Sequence, residues 1–183
     1  MNEKKIILGI DPGTVILGYG LICLEGKDLS LLSMGVLRLQ KYSDPLIRLG
    51  KIYERIDHLI QEFNPDEVAI EAPFYGKNVQ SMLKLGRAQG IALAPALIRS
   101  LPVFEYAPRK IKQAITGNGN ASKEQVALMV QTLLRFRETP DFLDATDGVA
   151  VALCHHYQSG RPVSAGGTKS WQEFIRKNPD RVH

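Results

Sequence analysis

The chain has 183 residues, 44% hydrophobic and 23% charged, with 23 Lys and Arg against 19 Asp and Glu, a net charge of +4 and a pI of about 9.1. That length and mix allow one globular domain with a sizeable core and a tail, and exclude a fibrous or wholly disordered chain; the basic excess points only weakly to an anionic partner such as nucleic acid, since many ordinary proteins carry it. Two cysteines without C-x-x-C spacing, Cys23 and Cys154, exclude a zinc or disulfide framework, and no apolar run approaches the ~18 residues of a membrane span.

In chain order, Lys5 to Asp11 reads as a central strand, and Asp11 interrupts its apolar run too soon for a signal peptide, so a cytoplasmic protein is expected. Ile16 to Leu24 and Leu29 to Leu39 follow as strands; the short turn at Glu25-Gly26-Lys27 makes the three an antiparallel meander. From Asp44 to Phe63 the period changes to that of a helix, with Asp44 as cap, Pro45 at the first helical position and Asn64-Pro65 as terminator. Glu67 to Glu71 is a fourth strand, Asn78 to Ser100 a long helix rich in small residues, and Pro102 to Ala107 a fifth strand. Pro95 predicts a kink or an early end in the long helix. Helices are then expected at Pro108 to Ile115, Ser122 to Leu134 (Ser122 and Gln125 in capping-box spacing) and Pro140 to Tyr157 with Thr139 as cap. The expected organisation is a domain over residues 1–158. A linker and tail over 159–183 would be partly disordered, with one short helix at Ser170 to Arg176. Antiparallel strands first and β-α-β units later imply an α/β fold with a mixed sheet and helices on both faces.

Four acids stand where a purely structural protein seldom places them. Asp11 and Glu71 end apolar strands, and Asp144 and Asp147 share one face of a helix that is apolar nearly all round. Each has a bland explanation: Asp11 bonding to the amides of its own turn, Glu71 pairing with a base, Asp144 favouring the positive end of its helix, Asp147 capping a shallow groove. Together they suggest convergence, because the first and fourth strands can be neighbours and the last helix can cross their ends. Two unit charges ~4 Å apart cost about 4 kcal/mol at an effective dielectric near 20, so such a cluster must protonate or hold cations. Oxygen ligands without His or Cys suit Mg²⁺ or Mn²⁺, and a pair of such ions can activate water against a phosphodiester. Gly148, inside the last helix, is expected to let it approach the sheet closely.

The stretches GIDPGTVILGYG, VAIEAPFYGKNVQSMLKLGRAQG, YAPRKIKQAITGNGNASKEQV and DATDGVAVALCHH, in that order, resemble the RuvC family of Holliday-junction resolvases, collinearly from about Lys5 to Tyr157. The resemblance implies a ribonuclease H-like fold with a five-stranded mixed sheet in the order 3-2-1-4-5, the first three strands antiparallel. It implies a homodimeric endonuclease that makes paired symmetric nicks in four-way junction DNA during recombination and repair, with RuvA and RuvB as partners and no membrane. Asp11, Glu71, Asp144 and Asp147 match the family's acids, with two Mg²⁺ per site, Mn²⁺ as a substitute and Asp11 bridging both ions; some members carry His at the position of Asp144. Phe74 matches a residue held to wedge into the junction, beside Tyr75, and Lys112 and Lys123 match lysines near the scissile phosphate, Lys123 with a catalytic role. Lys77, Lys84, Arg87, Arg109 and Lys110 are further candidates for backbone contacts. The small residues Gly86, Ala88, Gly90, Ala92 and Ala94 make the helix after Glu71 the candidate dimer interface. Gly13 and Gly18 would keep side chains clear of the DNA strand that reaches Asp11. His155 and His156 are read as ending the last helix. A YqgF-like nuclease shares the GID-x-G start, an actin-like ATPase needs a second lobe for which the chain has no room, and a non-catalytic junction-binding scaffold would bind without cleaving.

Overall fold

Along the first strand Ile7, Gly9 and Asp11 alternate with Leu8 and Ile10, and the two sets face opposite sides of one sheet. The computed structural model describes residues 4–73, 78–136 and 142–159. Strands β1 (Lys4–Asp11), β2 (Ile16–Glu25) and β3 (Asp28–Arg38) form the expected meander. Helix α1 (Pro45–Phe63) leads to β4 (Glu67–Glu71), α2 (Val79–Ile98) to β5 (Val103–Tyr106), and α3 (Pro108–Thr116), α4 (Lys123–Leu134) and α5 (Phe142–Ser159) complete the described chain. The strand order is β3-β2-β1-β4-β5, with β4 parallel to both β1 and β5, as the sequence led us to expect. The expected start of the last helix at Pro140 with Thr139 as cap, and the linker and short helix of the tail, lie outside the described residues.

The local signals act as read. Asp44 Oδ1 accepts the Leu46 amide at 2.8 Å, Asn64 closes α1 in the left-handed region, and Ser122 and Gln125 make both bonds of a capping box. Pro95 neither ends α2 nor shortens it appreciably: the helix runs on to Ile98, and the Arg99 guanidinium donates to the Pro95 carbonyl at 3.0 Å. With only one turn beyond it, the proline removes a single helical donor, and the buried Leu93, Pro95 and Ala96 hold that turn down.

Two cores sandwich the sheet. Leu8, Ile10, Leu17, Val68 and Ile70 pack against Ile52, Ile56 and Leu59 of α1 and Ala88 and Ala92 of α2. On the other face Ile7, Ile22 and Ala69 pack against Ile111, Val126, Val149 and Leu153 from α3, α4 and α5. Helix α5 lies across β1 and β2 at the closest distance the backbones permit. A Cβ on Gly9 would come to 2.5 Å from the Ala152 nitrogen, one on Gly20 to 2.6 Å from the Val149 nitrogen, one on Gly148 to 2.6 Å from the Tyr19 nitrogen, and one on Gly18 would collide with the Asp144 carbonyl. Gly148 therefore does what its place in the helix suggests. Gly18 does not: it is covered by α5 rather than open to DNA, and Gly13 closes its own turn, where a Cβ would collide with the Ile16 carbonyl. The chain needs glycine at both because backbone, not solvent, fills the space.

Helix α2 shows its other side to solvent. Val79, Leu83 and Leu97 are 66%, 63% and 58% exposed, and they line up with Gly86, Gly90 and Ala94 at three- and four-residue intervals, an apolar stripe with open space over both glycines.

Replacing Gly148 with Ala is expected to cost at least 1–3 kcal/mol in urea unfolding, since the new methyl meets β2 backbone that cannot move aside. Gly50→Ala, in α1 with nothing within 4 Å of the new methyl, is expected to leave stability unchanged or raise it by up to ~1 kcal/mol.

Candidate metal centre

Asp11 and Glu71 end adjacent parallel strands on the rung after the Ile10–Ile70 pair, and strand alternation turns both toward α5. The close seat of α5 then brings Asp147 in front of them, with Asp144 one turn earlier. The capping box places Lys123 at the first position of α4, and its Nζ reaches Asp144 Oδ1 at 2.6 Å and Asp147 Oδ2 at 2.7 Å. Lys112 arrives from α3. Asp11, Glu71, Asp147, Lys112 and Lys123 line one cleft of about 190 Å³, with Pro108, Ile111, Val126 and Ala150 as its apolar walls. A wider groove of about 630 Å³ shares Glu71, Pro108 and Lys112 and continues over Arg109, Gly119 and Asn120.

The charges are held against their preference. Burial pushes the Asp11 carboxyl well above its ordinary range, and the charges of Glu71 and Asp147 add to that, against Lys123. Burial followed by the charge of Asp147 lifts Glu71 to about 7, with Lys112 and Lys123 pulling the other way. Asp147 is raised by burial despite its bond to Lys123. Burial opposes the charge on Lys123 itself, but its bonds to Asp144 and Asp147 raise its proton affinity overall. The donor set fits a hard divalent cation: oxygen ligands only, partly buried, mutually repelling and short of positive charge. Among the described residues no three acids are yet drawn around one point, and the ammonium of Lys123 is the cation in contact with the set.

Of the other residues singled out in the sequence, Arg109 borders the wider groove, whereas Lys110 turns to the opposite flank of α3, over the Tyr106 ring and beside Tyr157. Two positions apart on a helix, Lys110 and Lys112 cannot share a face. Asp144 contacts Lys123 but does not line the cleft. Lys84 and Arg87 are exposed on α2, outside both grooves. Phe74, Tyr75 and Lys77 lie outside the described residues. Arg48 escaped the sequence reading: its guanidinium donates to Tyr42 O at 2.7 Å and Thr14 O at 3.2 Å, pinning the turn that follows Asp11. Nothing in a helical Leu-Ile-Arg-Leu run marks such a role. In sequence Asn120 reads only as part of a polar loop, although Gly119 packed onto Arg109 places that loop at the groove.

Residues 7–155 match the family model described as crossover junction endodeoxyribonuclease RuvC. Curated proteins of that description are 58% identical to this chain in Cytophaga hutchinsonii, over 97% of the chain and 88% of the relative, and 55% identical in Porphyromonas gingivalis, over 98% of each. Among solved structures, RuvC of Thermus thermophilus in complex with a Holliday-junction substrate superposes with a TM-score of 0.76 at 34% identity, covering 85% of this chain and 94% of that one.

A carboxyl whose proton affinity is raised by folding stabilises the fold while protonated and loses that contribution as pH rises through its folded value. Without divalent cation, Glu71 should therefore weaken the fold progressively between about pH 4.5 and 7, by roughly 3 kcal/mol at 1.4 kcal/mol per tenfold change in proton affinity. Denaturant unfolding in chelator is expected to show Glu71→Gln more stable than wild type at pH 8 by an amount of that order, and the two nearly equal at pH 4.5. A difference that does not change with pH would contradict the assignment.

Proposed function

This chain belongs to the RuvC family of crossover junction endodeoxyribonucleases, and we propose that Asp11, Glu71, Asp144 and Asp147 hold the divalent cations with which it cuts opposed strands of a four-way DNA junction. It is an enzyme that hydrolyses phosphodiester bonds and resolves Holliday junctions. The observation that carries the site assignment is that three partly buried carboxylates from β1, β4 and α5 line one cleft together with two lysines.

The chemistry of the donor set favours Mg²⁺, two per site, with Mn²⁺ as substitute. Asp11 is the central ligand in this reading, because its carboxylate feels the charge of each of the other three. Held by these acids, such cations would lower the pKa of an attacking water and offset charge on the scissile phosphate. The chain's own part is to hold its acids close together, to exclude bulk water with Pro108, Ile111 and Val126, and to bring Lys112 and Lys123 to the phosphate. Their ammonium groups neutralise charge that develops on its oxygens. Lys123 gives up its ion pairs with Asp144 and Asp147 to do so. Arg109 and Asn120 extend the phosphate path along the wider groove. Lys84 and Arg87 offer backbone contacts farther out. Lys110, on the far flank, is left out of that surface. Phe74 and Tyr75 are assigned to stacking at the unpaired centre of the junction, with Lys77 beside them.

Two equivalent strands call for two equivalent sites, and the exposed apolar stripe of α2 supports a homodimer joined there by two-fold symmetry. Family membership supports RuvA and RuvB as partners and the cytoplasm as the compartment. Residues 1–158 are taken as the nuclease and 159–183 as an appended tail.

A synthetic four-way junction offered with and without Mg²⁺ tests this reading. Wild type is expected to make paired symmetric nicks only with Mg²⁺, and Asp11→Asn to bind the junction but lose at least 10²-fold in cleavage rate, the scale of one electrostatic element of an active site. Cleavage by the variant at the wild-type rate, or preference for linear duplex, would overturn it.

A further inference from the structure

At the far end of α5 from the carboxylates sits a polar chain buried in an apolar core. His155 is 1% exposed, between Phe104, stacked on its ring at 4.3 Å, and Tyr106. Its Nδ1 lies 2.7 Å from the Tyr106 hydroxyl and its Nε2 lies 2.6 Å from Glu67 Oε2, which also receives Lys5 Nζ at 2.7 Å. Burial works against the Glu67 charge, but its bonds to Lys5 and His155 hold its proton affinity below the ordinary value. Glu67 is therefore an acceptor, so Nε2 carries the proton toward it. The Tyr106 hydroxyl shares the hydrogen bond at Nδ1, so both ring nitrogens have partners.

The spacing gives this chain a reach beyond its own neighbourhood. Asp147 and His155 are eight residues apart on α5, a rise of ~12 Å. Glu71 and Glu67 are four apart on β4, ~13 Å. Helix and strand run in opposite directions and are joined at both ends of nearly equal spans, by His155 to Glu67 at one end and by Asp147 facing Glu71 at the other. Tyr106 ties in the third element: it is the register partner of Glu71, and its carbonyl accepts the Ala72 amide at 2.9 Å. On the β1 and β2 side, contact with glycine backbone sets the height of α5. On the β4 side, the bond from His155 to Glu67 adds a directional contact that fixes the helix along that strand.

We propose that Lys5, Glu67, His155 and Tyr106 form a register pin that sets α5 along β4 and so positions Asp147 against Glu71. His155 and Tyr106 are positioning residues; neither side chain lines the cleft. The proposal rests on the reading of Asp147 and Glu71 as cation ligands.

The test is Mn²⁺ affinity without DNA, read by water-proton relaxation, in wild type, His155→Gln and His155→Asn. Both substitutions lose the ring and its stacking equally. The Gln amide nitrogen reaches the place of Nε2 and keeps the bond to Glu67, whereas the shorter Asn keeps only the side toward Tyr106. His155→Gln is expected to bind within about twofold of wild type and His155→Asn at least fivefold more weakly, with junction affinity in chelator unchanged in both. Tyr106→Phe removes one hydroxyl from a packed ring and carries the test should His155→Asn not fold; it is expected to weaken Mn²⁺ two- to threefold. Wild-type affinity in His155→Asn, or in Tyr106→Phe as its stand-in, would overturn the pin. So would equal losses in the Gln and Asn variants, which a merely structural role predicts. No Mn²⁺ binding by wild type would overturn the cation-site reading, and the pin with it.

Discussion

The closeness of α5 to the sheet is the constraint on which the site depends. Side chains normally hold a helix and the sheet beneath it apart. Here Gly9, Gly18 and Gly20 on the strands and Gly148 on the helix remove them along one line, and the backbones meet. That contact carries Asp147 down to the level of Asp11 and Glu71, which sit at strand ends only a few ångströms above the sheet. An ordinary alanine or valine seam would give the same topology and nearly the same core, with the acids of α5 held too high to share a cleft with those of β1 and β4.

Convergence is electrostatically costly, and the fold supports the cost in several ways. The apolar walls that exclude water from the cleft are also what raises Asp11 and Glu71, so the property that suits the site to cations destabilises the chain without them. Lys123 offsets part of the charge through Asp144 and Asp147, from a position fixed by the Ser122 and Gln125 cap. Arg48 steadies the turn beyond Asp11 from outside, and the His155 chain anchors the distant half of α5. Substrate phosphates carry the same sign as the acids, so Lys112 and Lys123 at the cleft oppose that repulsion.

Most of this was legible in the chain. Strand and helix periods, the Asp44 and Ser122 caps and the Asn64 terminator located nearly every described element, because each is a local signal read within a turn or two. The four acids stood out because their residue type contradicts their surroundings. What was misread depends on which backbone lies opposite a residue, and no local pattern encodes that. Gly18 looks like any strand glycine until α5 is placed over it, and Lys110 and Lys112 look alike until α3 is set on its face. Pro95 reads as a helix breaker in sequence, but the packing of one more turn overrides it. His155 reads as the polar end of a helix, since nothing near it in sequence announces Glu67, 88 positions away.

The close seat of α5 is what brings the proposed cation ligands together. Gly18 tests it most directly, because it pairs with Asp11 across the sheet while its open side is filled by the Asp144 carbonyl. Mn²⁺ affinity of Gly18→Ala, measured where the variant is fully folded, is predicted to fall at least tenfold as the added methyl lifts the first turn of α5. Folded Gly18→Ala that binds Mn²⁺ as wild type does would contradict the account.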